Sequence, residues 1–193
     1  DPNDTDTDDD GLQDGLEVNG YDVDGDGVVD VDLPTMGANP LKKDLFVEVD
    51  WMRLTGMGGH NHIAKALALV RTMATFAAMT SISNPDGTTG VAVHFDNGAY
   101  GGGTQIAHDD NLSPVWVEFS ALKSANFNSN RTGIFKYMIM AHNYNGACTN
   151  NGTSRIAATD VVIAMGCTAT QVGTTAEQAA AITRQLRNAV TGW

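Results

Sequence analysis

The pattern of apolar and polar positions after residue 43 predicts strands alternating with helices. Five short runs alternate or are wholly apolar, as strands are: 44–51, 90–97, 115–121, 134–142 and 158–166. Two longer runs repeat their apolar residues every three to four positions, as helices do: 62–79 and 174–190. Loops are predicted at the glycine-rich segments 56–59, 98–103 and 146–152. We therefore expect an α+β fold, a mixed α/β body in two or three layers.

Each predicted helix has one apolar face that should pack on the sheet. In the first helix this face is formed by Ile63, Leu67, Val70 and Ala74. In the second helix it is formed by Ile182, Leu186 and Val190, and Thr175 is the expected N-cap.

Charge divides the chain into two parts. Residues 1–50 contain 16 of the 23 acidic residues and only two basic ones, Lys42 and Lys43. The remaining residues are nearly neutral, so we predict an acidic module over 1–43 and an α/β domain over 44–193. The chain has no basic stripe, so nucleic acid is not an expected partner. No apolar run approaches the roughly 20 residues that a membrane span needs.

The acidic module contains a complete twelve-residue calcium loop that starts at Asp6. Carboxylates occupy every side-chain ligand position of the pattern D-x-D-x-D-G-x-x-D-x-x-E, and Gly11 occupies the turn position. The backbone carbonyl at position 7 belongs to Leu12. The predicted ligands of the first loop are Asp6, Asp8, Asp10, Leu12, Asp14 and Glu17.

A second copy of the loop starts at Asp22. Its position 12 is Leu33, so the bidentate glutamate is missing, and Asp32 or a carboxylate from elsewhere must complete the site. The predicted ligands of the second loop are Asp22, Asp24, Asp26, Val28, Asp30 and Asp32. We expect two or more calcium ions and no zinc.

These loops do not fit an EF-hand. Only four residues separate Glu17 from Asp22, and they include Asn19 and Gly20, so no helix is expected between the loops. With the Asn39-Pro40 pair and Asp44 beyond them, the loops resemble the thrombospondin type-3 repeat of secreted proteins. That resemblance implies that calcium replaces a hydrophobic core. The alternative is a disordered acidic tail, but the placement of the glycines favours folded loops.

The rest of the chain resembles a known group of secreted proteins. The segments KDLFVEVDWM, VAVHFDNG, FKYMIMAHNYNG and DVVIAMG followed by TTAEQAAA occur in this order. They are similar to segments of zinc metallopeptidase-like proteins of the zincin group, in which a calcium-repeat segment often comes first. The resemblance implies a zincin-like twisted mixed sheet with two main helices.

The zincin resemblance also implies where catalysis should reside, and the required residues are missing. In that family the last helix carries H-E-x-x-H, which binds Zn²⁺ and activates a water. The matching positions are Arg184, Gln185 and Asn188. An arginine has no lone pair to offer a metal and a glutamine amide does not act as a general base. The resemblance therefore implies a degenerate, non-catalytic domain.

Other candidate metal ligands have weaker support. His60 and His62 form an H-x-H pair, but nothing nearby in the sequence completes a tetrahedral set, so a helix cap with solvated imidazoles is favoured. His94 and Asp96 share a strand face, and His108 lies in a loop with two aspartates. These residues are interpreted as a third cation site or as hydrogen-bonded pairs.

Three features favour a secreted protein. The chain lacks a starting methionine and a signal peptide, as a processed chain does. Cys148 and Cys167 allow one disulfide, which suits an oxidising compartment. Glycan acceptor tripeptides begin at Asn3, Asn111, Asn130 and Asn151.

These observations lead to a main hypothesis and two alternatives. The main hypothesis is a secreted, extracellular, calcium-binding and non-catalytic structural or interaction protein that self-associates into a filament, surface layer or adhesin. The first alternative is a zinc metallopeptidase domain or fragment. The second is a carbohydrate- or matrix-binding module, which needs Trp51, Tyr100 or Trp116 exposed in one patch.

Overall fold

The protein is described by a computed structural model over residues 4–55, 60–146, 151–155, 160–168 and 170–189. Within these ranges six strands form one mixed sheet: β1 (Asp44–Arg53), β2 (Ala92–Asp96), β3 (Gln105–Ala107), β4 (Phe135–Ala141), β5 (Thr153–Ser154) and β6 (Asp160–Ala164). Five of them lie in the spatial order β2-β1-β4-β6-β5. The sixth strand, β3, pairs with the last residues of β1. All pairs are parallel except that between β5 and β6.

Five α-helices accompany the sheet in the described residues, so the predicted α+β class is confirmed. The helices are α1 (Asp14–Asn19), α2 (Leu33–Met36), α3 (Ala66–Ala77), α4 (Val115–Asn126) and α5 (Thr175–Ala189). A short 3₁₀ helix, Ser129–Arg131, precedes β4.

Helices cover both faces of the sheet, because its central strands are apolar on both sides. Along β4, Met138 and Met140 contribute to the core under α3 and α5, whereas Tyr137 and Ile139 contribute to the core under α4. This alternation follows from the two-residue period of a strand. The domain therefore has three layers, with the sheet in the middle.

The segment 115–121 is a helix and not the predicted strand. Its apolar residues alternate, but Val115 and Phe119 are also one helical turn apart, and both are buried against the sheet. Val117, which lies between them, is 67% exposed. Because an i, i+2, i+4 pattern contains an i, i+4 pair, alternation over so short a run fits either element.

The predicted buried face of α3 is also wrong. Leu67 and Val70 are 53% and 55% exposed, and the buried residues are instead Ala68, Leu69, Thr72 and Phe76. Small residues on this face let α3 pack against α5, where the Thr72 hydroxyl lies 3.5 Å from the Ala179 carbonyl. In α5, Ile182 and Leu186 are buried as predicted, while Val190 lies outside the described residues.

The N-cap of α5 differs by one residue from the prediction. The Thr174 hydroxyl accepts from the Glu177 N–H at 3.3 Å, and a Glu177 carboxylate oxygen accepts from the Thr174 N–H at 2.7 Å. These reciprocal bonds form a capping box, so Thr174 caps the helix rather than Thr175.

The acidic module has apolar contacts of its own, contrary to the expectation that calcium replaces a core. Leu12, Leu33 and Met36 are buried with Phe46 and Phe135 at the start of β1 and β4. Helix α1 spans the end of the first loop and reaches Asn19, although no helix was expected between the loops. The module therefore packs against the amino-terminal end of the parallel sheet.

Candidate functional site: two acidic loops and a histidine cluster

The two acidic loops share one pattern of backbone-to-carboxylate hydrogen bonds. In the first loop, Gly11 N–H donates to Asp6 Oδ2 at 3.0 Å, and in the second, Gly27 N–H donates to Asp22 Oδ2 at 2.8 Å. Both glycines have positive φ angles, 95° and 87°, which disfavour a residue with a Cβ. Position 1 therefore holds the turn at position 6 in the same way in both loops.

Three more hydrogen bonds repeat between the loops. Position 5 donates to the carboxylate of position 3, and position 7 donates to that of position 5. Position 2 donates to the carboxylate of position 9, at 2.8 Å in both loops. The carboxylates involved belong to Asp8, Asp10 and Asp14 in the first loop and to Asp24, Asp26 and Asp30 in the second. The sequence repeat is thus also a repeat of conformation.

The first loop brings carboxylates together against the domain. Oxygens of Asp6, Asp8 and Asp10 lie within 4.8 Å of one another, and so do oxygens of Asp10, Glu17 and Asp44. Glu17 is only 1% exposed, and neither of its oxygens has a hydrogen-bond partner among the described residues. Such a set of hard oxygen ligands suits Ca²⁺.

Burial raises the pKa values of the first-loop carboxyls. The pKa of Glu17 is raised to about 8 and that of Asp8 to about 7, in both cases by burial first and by the neighbouring carboxylates second. Burial also raises the pKa of Asp10 to about 6. Without a cation this cluster therefore holds protons near neutral pH.

Three residues of the sequence prediction have other contacts in the structure. Both oxygens of Asp14 accept hydrogen bonds from Thr7, at 2.8 and 2.7 Å. Both oxygens of Asp32 accept from Thr35, at 3.1 and 2.6 Å, so that Asp32 caps helix α2. Leu12, whose carbonyl was the predicted position-7 ligand, also buries its side chain in the module core.

The second loop is more exposed than the first. Oxygens of Asp22, Asp24 and Asp30 lie within 4.8 Å of one another, and the side-chain amide of Asn130 donates to Asp30 at 3.0 Å. Asp26 accepts from the N–H of Val28, the predicted position-7 residue, at 2.8 Å. Hydrogen bonds from the Gly27 and Gly25 N–H groups lower the pKa of Asp22, so its carboxylate stays ionised.

A second cluster, which consists of His60, His62, His108 and His142, lies at the opposite end of the sheet. His108 directly follows β3 and His142 directly follows β4. The chain after β1 folds back on it, with Arg53 and Asn61 in an antiparallel bridge and the His62 N–H donating to the Met52 carbonyl at 2.9 Å. Because β1, β3 and β4 are parallel, their carboxyl ends bring these loops to one edge.

The four imidazole rings surround a common point. All six distances between ring centroids fall between 5.0 and 6.0 Å. One nitrogen from each ring lies within 4.8 Å of the others, and His142 Nδ1 is 3.3 Å from His62 Nε2. Four points with nearly equal mutual distances form a tetrahedron.

Three ring nitrogens of the cluster are buried without the polar partners that imidazoles normally find. His60 Nδ1, His62 Nδ1 and His108 Nε2 are buried and have no hydrogen-bond partner among the described residues. His62 is 1% exposed, and burial, reinforced by the neighbouring imidazoles, lowers its pKa to about 3. Burial also lowers the pKa of His142. The interpretation of His60 and His62 as solvated capping residues is therefore wrong.

The sequence interpretation missed His108 and His142 as partners of the H-x-H pair. A usable signal was present for His142 alone, which ends the predicted strand 134–142. The strand before His108 was not predicted, because it has only three residues.

His94 and Asp96 do not form a shared site. His94 Nε2 lies 2.6 Å from Asp44 Oδ1, and its ring packs on Phe46 at a centroid distance of 4.6 Å. Asp96 instead pairs with buried Arg131 at 2.7 Å, and Arg131 also pairs with Glu48 at 2.8 Å. His94 thus supports the first acidic loop, and Asp96 belongs to a separate buried ion network.

The positions that match H-E-x-x-H do not belong to the histidine cluster. Arg184 and Asn188 are exposed on α5, and Gln185 is buried with its amide bonded to Ser154 and to the Gly152 carbonyl. Gln185 therefore fixes the edge strand β5 to α5.

The three aromatic residues of the carbohydrate-binding alternative do not share one face. Trp51 packs against the core under α3 and α5, whereas Trp116 packs against the core under α4. Tyr100 is 45% exposed. Because the sheet separates the two tryptophans, they do not form a single binding patch.

The disulfide and the glycans stay predictions. Cys148 and Asn3 lie outside the described residues. Asn111, Asn130 and Asn151 are partly exposed, and the Asn130 side-chain nitrogen already donates to Asp30.

Comparison with protein families, with curated proteins and with solved structures finds no match for this chain. The zincin-like and thrombospondin-like resemblances therefore remain predictions. Among the described residues, no helix combines the length and the apolar character needed to cross a membrane.

Proposed function

We propose that this chain is a secreted calcium-binding protein that acts by association with other molecules and not by catalysis. The observation that carries the proposal is Glu17, a fully buried carboxylate whose two oxygens have no hydrogen-bond partner among the described residues. A buried carboxylate without a partner is costly, and a cation removes that cost. Oxygens of Asp10 and Asp44 lie close enough to share the ion.

The contacts of Asp44 explain why calcium binding would matter to the whole molecule. This residue begins the interior strand β1, and its backbone N–H donates to Asp10 Oδ2 at 2.6 Å. The neighbouring Lys43 donates from Nζ to the Asp8 carbonyl. Calcium in the first loop would therefore stabilise the joint between the acidic module and the domain.

Calcium titration calorimetry on the full chain tests the proposal. We expect the wild-type protein to bind at least two ions with dissociation constants no weaker than the millimolar range of extracellular modules. Glu17→Gln should remove the ion of the first loop and Asp24→Asn should weaken that of the second. Asp86→Asn, at an exposed aspartate outside both loops, is the matched control. A wild-type protein without measurable calcium binding at several millimolar would refute the proposal.

The apolar surface of α3 supports self-association. Leu67, Val70 and Met73 are 53%, 55% and 40% exposed along the outer side of this helix. Apolar side chains that adjoin on a surface favour association with a partner. We take that partner to be a second copy of this chain, as the sequence hypothesis of a filament or surface layer requires.

Sedimentation velocity over a range of protein concentrations tests self-association. In calcium we expect the wild-type protein to form assemblies larger than a monomer, and Leu67→Glu with Val70→Glu to reduce them. Val117→Glu, on helix α4 in the opposite layer, is the control because it exchanges an exposed valine outside the α3 surface. A wild-type protein that stays monomeric at all concentrations would contradict this part of the proposal.

A further inference from the structure

We propose that His60, His62, His108 and His142 bind one divalent transition-metal ion in a closed tetrahedral site, with Zn²⁺ as the best-fitting ion. This site is separate from the calcium loops, since it lies at the carboxyl edge of the sheet and they lie at its amino edge. The ten residues of β1 separate these two edges by about 30 Å.

The distances fit an ion bound by four nitrogens. With Zn–N bonds of about 2.0–2.1 Å, tetrahedral geometry places the ligand nitrogens about 3.3–3.4 Å apart and the ring centroids about 5.2 Å apart. The distance between His142 Nδ1 and His62 Nε2 is 3.3 Å. The six observed centroid distances range from 5.0 to 6.0 Å, so the expected distance lies near the lower end of that range.

Besides the distances, the buried ring nitrogens that lack a hydrogen-bond partner also indicate a ligand. A buried polar atom without a partner costs about 1–3 kcal/mol, and His60 Nδ1 and His108 Nε2 are in that state. A cation that accepts nitrogen lone pairs at the centre of the cluster would give the ring nitrogens that face inward a partner. Without a cation, the four packed imidazoles would leave these inward-facing nitrogens without a partner.

The surroundings of His108 fit the second shell of a metal ligand. His108 Nδ1 lies 3.4 Å from Asp110 Oδ1, while His108 Nε2 is buried and without a partner. A ligating histidine typically donates its other ring N–H to a carboxylate, which fixes the tautomer and leaves a lone pair for the metal. The Asp110 carboxylate lies on the Nδ1 side of the ring, so the buried and unpartnered Nε2 is the nitrogen left for the metal.

The donor set and shape restrict the choice of metal. Imidazole nitrogens suit Zn²⁺, Cu²⁺, Ni²⁺ and iron, whereas Ca²⁺ and Mg²⁺ prefer oxygen. Cu²⁺ and Ni²⁺ favour square-planar or tetragonal sites, but the six similar distances here describe a tetrahedron. Four protein ligands leave no open position for a substrate water, so the ion would hold the loops after β1, β3 and β4 together rather than catalyse a reaction.

Metal titration of the full chain in saturating calcium tests the site, because calcium then occupies the acidic loops. We expect one Zn²⁺ per chain by calorimetry and elemental analysis. We also expect Co²⁺ to bind with the intense visible absorption that distinguishes a tetrahedral complex from an octahedral one. A chain that binds neither ion, or Co²⁺ with only the weak octahedral bands, would overturn the proposal.

Histidine variants identify the ligands. His108→Gln and His142→Gln should each weaken Zn²⁺ binding by at least about 100-fold, because even second-shell changes cost about 10–100-fold. His94→Gln is the matched control, since His94 is the fifth histidine and contacts Asp44 instead of the cluster. Circular dichroism in calcium shows whether each variant is folded. Zinc binding that is unchanged in both cluster variants would overturn the assignment, even if calcium binding behaves as proposed.

Discussion

The backbone N–H of Asp44 donates a 2.6 Å hydrogen bond to Asp10 Oδ2 and so joins the first acidic loop to the first residue of strand β1. The Asp44 side chain lies in the same carboxylate group as Asp10 and Glu17. Asp44 also contacts His94 on the neighbouring strand β2. The acidic module is therefore fixed to β1, an interior strand of the sheet, and events in the first loop should affect the stability of the whole domain.

Chelation of calcium should destabilise the protein, and the two loops should contribute unequally. If free calcium exceeds the dissociation constant several-hundred-fold, each ion adds about 3–4 kcal/mol to the free energy of unfolding. The loss of the first-loop ion should lower the cooperative melting transition, because that loop is joined to β1. The loss of the second-loop ion should act mainly on the exposed loop. Thermal melts with and without chelator, for wild type, Glu17→Gln and Asp24→Asn, measure this difference; identical melts with and without chelator would contradict it.

Glu17→Gln should have opposite effects with and without calcium. In calcium the variant loses a carboxylate ligand, so its free energy of unfolding should fall by about 2–4 kcal/mol. In chelator at pH 8 the variant removes a buried, unpartnered charge, so it should be at least about 1 kcal/mol more stable than wild type. Urea unfolding in both conditions measures the two signs. A variant that is less stable than wild type in both conditions would show that Glu17 has a structural partner other than calcium.

Calcium binding to the first loop should weaken as pH falls from 8 to 6. The pKa values of Glu17 and Asp8 are raised to about 8 and about 7, so below pH 8 the ion must displace protons. The pKa of Asp22 is lowered, so the second loop should bind equally well over this window. Calorimetry on Asp24→Asn, which reports on the first loop, and on Glu17→Gln, which reports on the second, separates the two. Equal pH dependence in both variants would contradict the prediction.

The raised pKa values of Glu17 and Asp8 also determine whether the stability of the calcium-free protein rises or falls with pH. A carboxyl whose pKa is higher in the folded state than in the unfolded state favours folding when it is protonated. This contribution is complete below pH 4 and is lost as pH rises through about 7 to 8. The ion-free protein should therefore lose stability from pH 5 to pH 8, and calcium should abolish that loss. Urea midpoints at both pH values, with and without calcium, test the sign.

Gly166→Ala should disturb the histidine cluster. A Cβ at this position would lie 2.6 Å from atoms of the His142 ring, closer than real Cβ contacts allow. The ring must then move, so we expect weaker Zn²⁺ binding than in wild type. Gly15→Ala is the control, because a Cβ there meets no atom within 4 Å. Calorimetry with Zn²⁺ in saturating calcium makes the comparison; unchanged affinity in Gly166→Ala would mean that His142 is not held by this contact.

Arg131 and Arg155 should differ in their importance for stability. The Arg131 side chain is 3% exposed and pairs with Glu48 and Asp96, so Arg131→Met leaves two buried carboxylates unpaired and should cost about 3–5 kcal/mol. The Arg155 side chain is 40% exposed and pairs with Asp160, so Arg155→Met should cost about 1 kcal/mol or less. Urea unfolding of both variants measures the difference. Equal losses would contradict this ranking of the two ion pairs.

The sequence by itself determined the features that depend on neighbouring residues. The two acidic loops can be predicted from the sequence because the expected calcium ligands and the glycine turn recur at fixed local spacing. In the structure the same four hydrogen bonds occur in both loops. Local periodicity also predicts strands β1 and β4 and the buried positions of Ile182 and Leu186. The prediction of the buried face of α3 was wrong, because that helix has apolar or small residues on several sides. Only the packing against α5 decides which side is buried.

Only the tertiary structure shows that the four histidines form a cluster and that Asp44 contacts the first acidic loop. His62 and His142 are 80 positions apart, and parallel strands with long connections bring them within 3.3 Å. Asp10 and Asp44 are 34 positions apart and meet because the acidic module packs its apolar residues on Phe46 and Phe135. Local spacing carries no information about such distances, since strand order and the faces that helices cover fix them only once the sheet has formed.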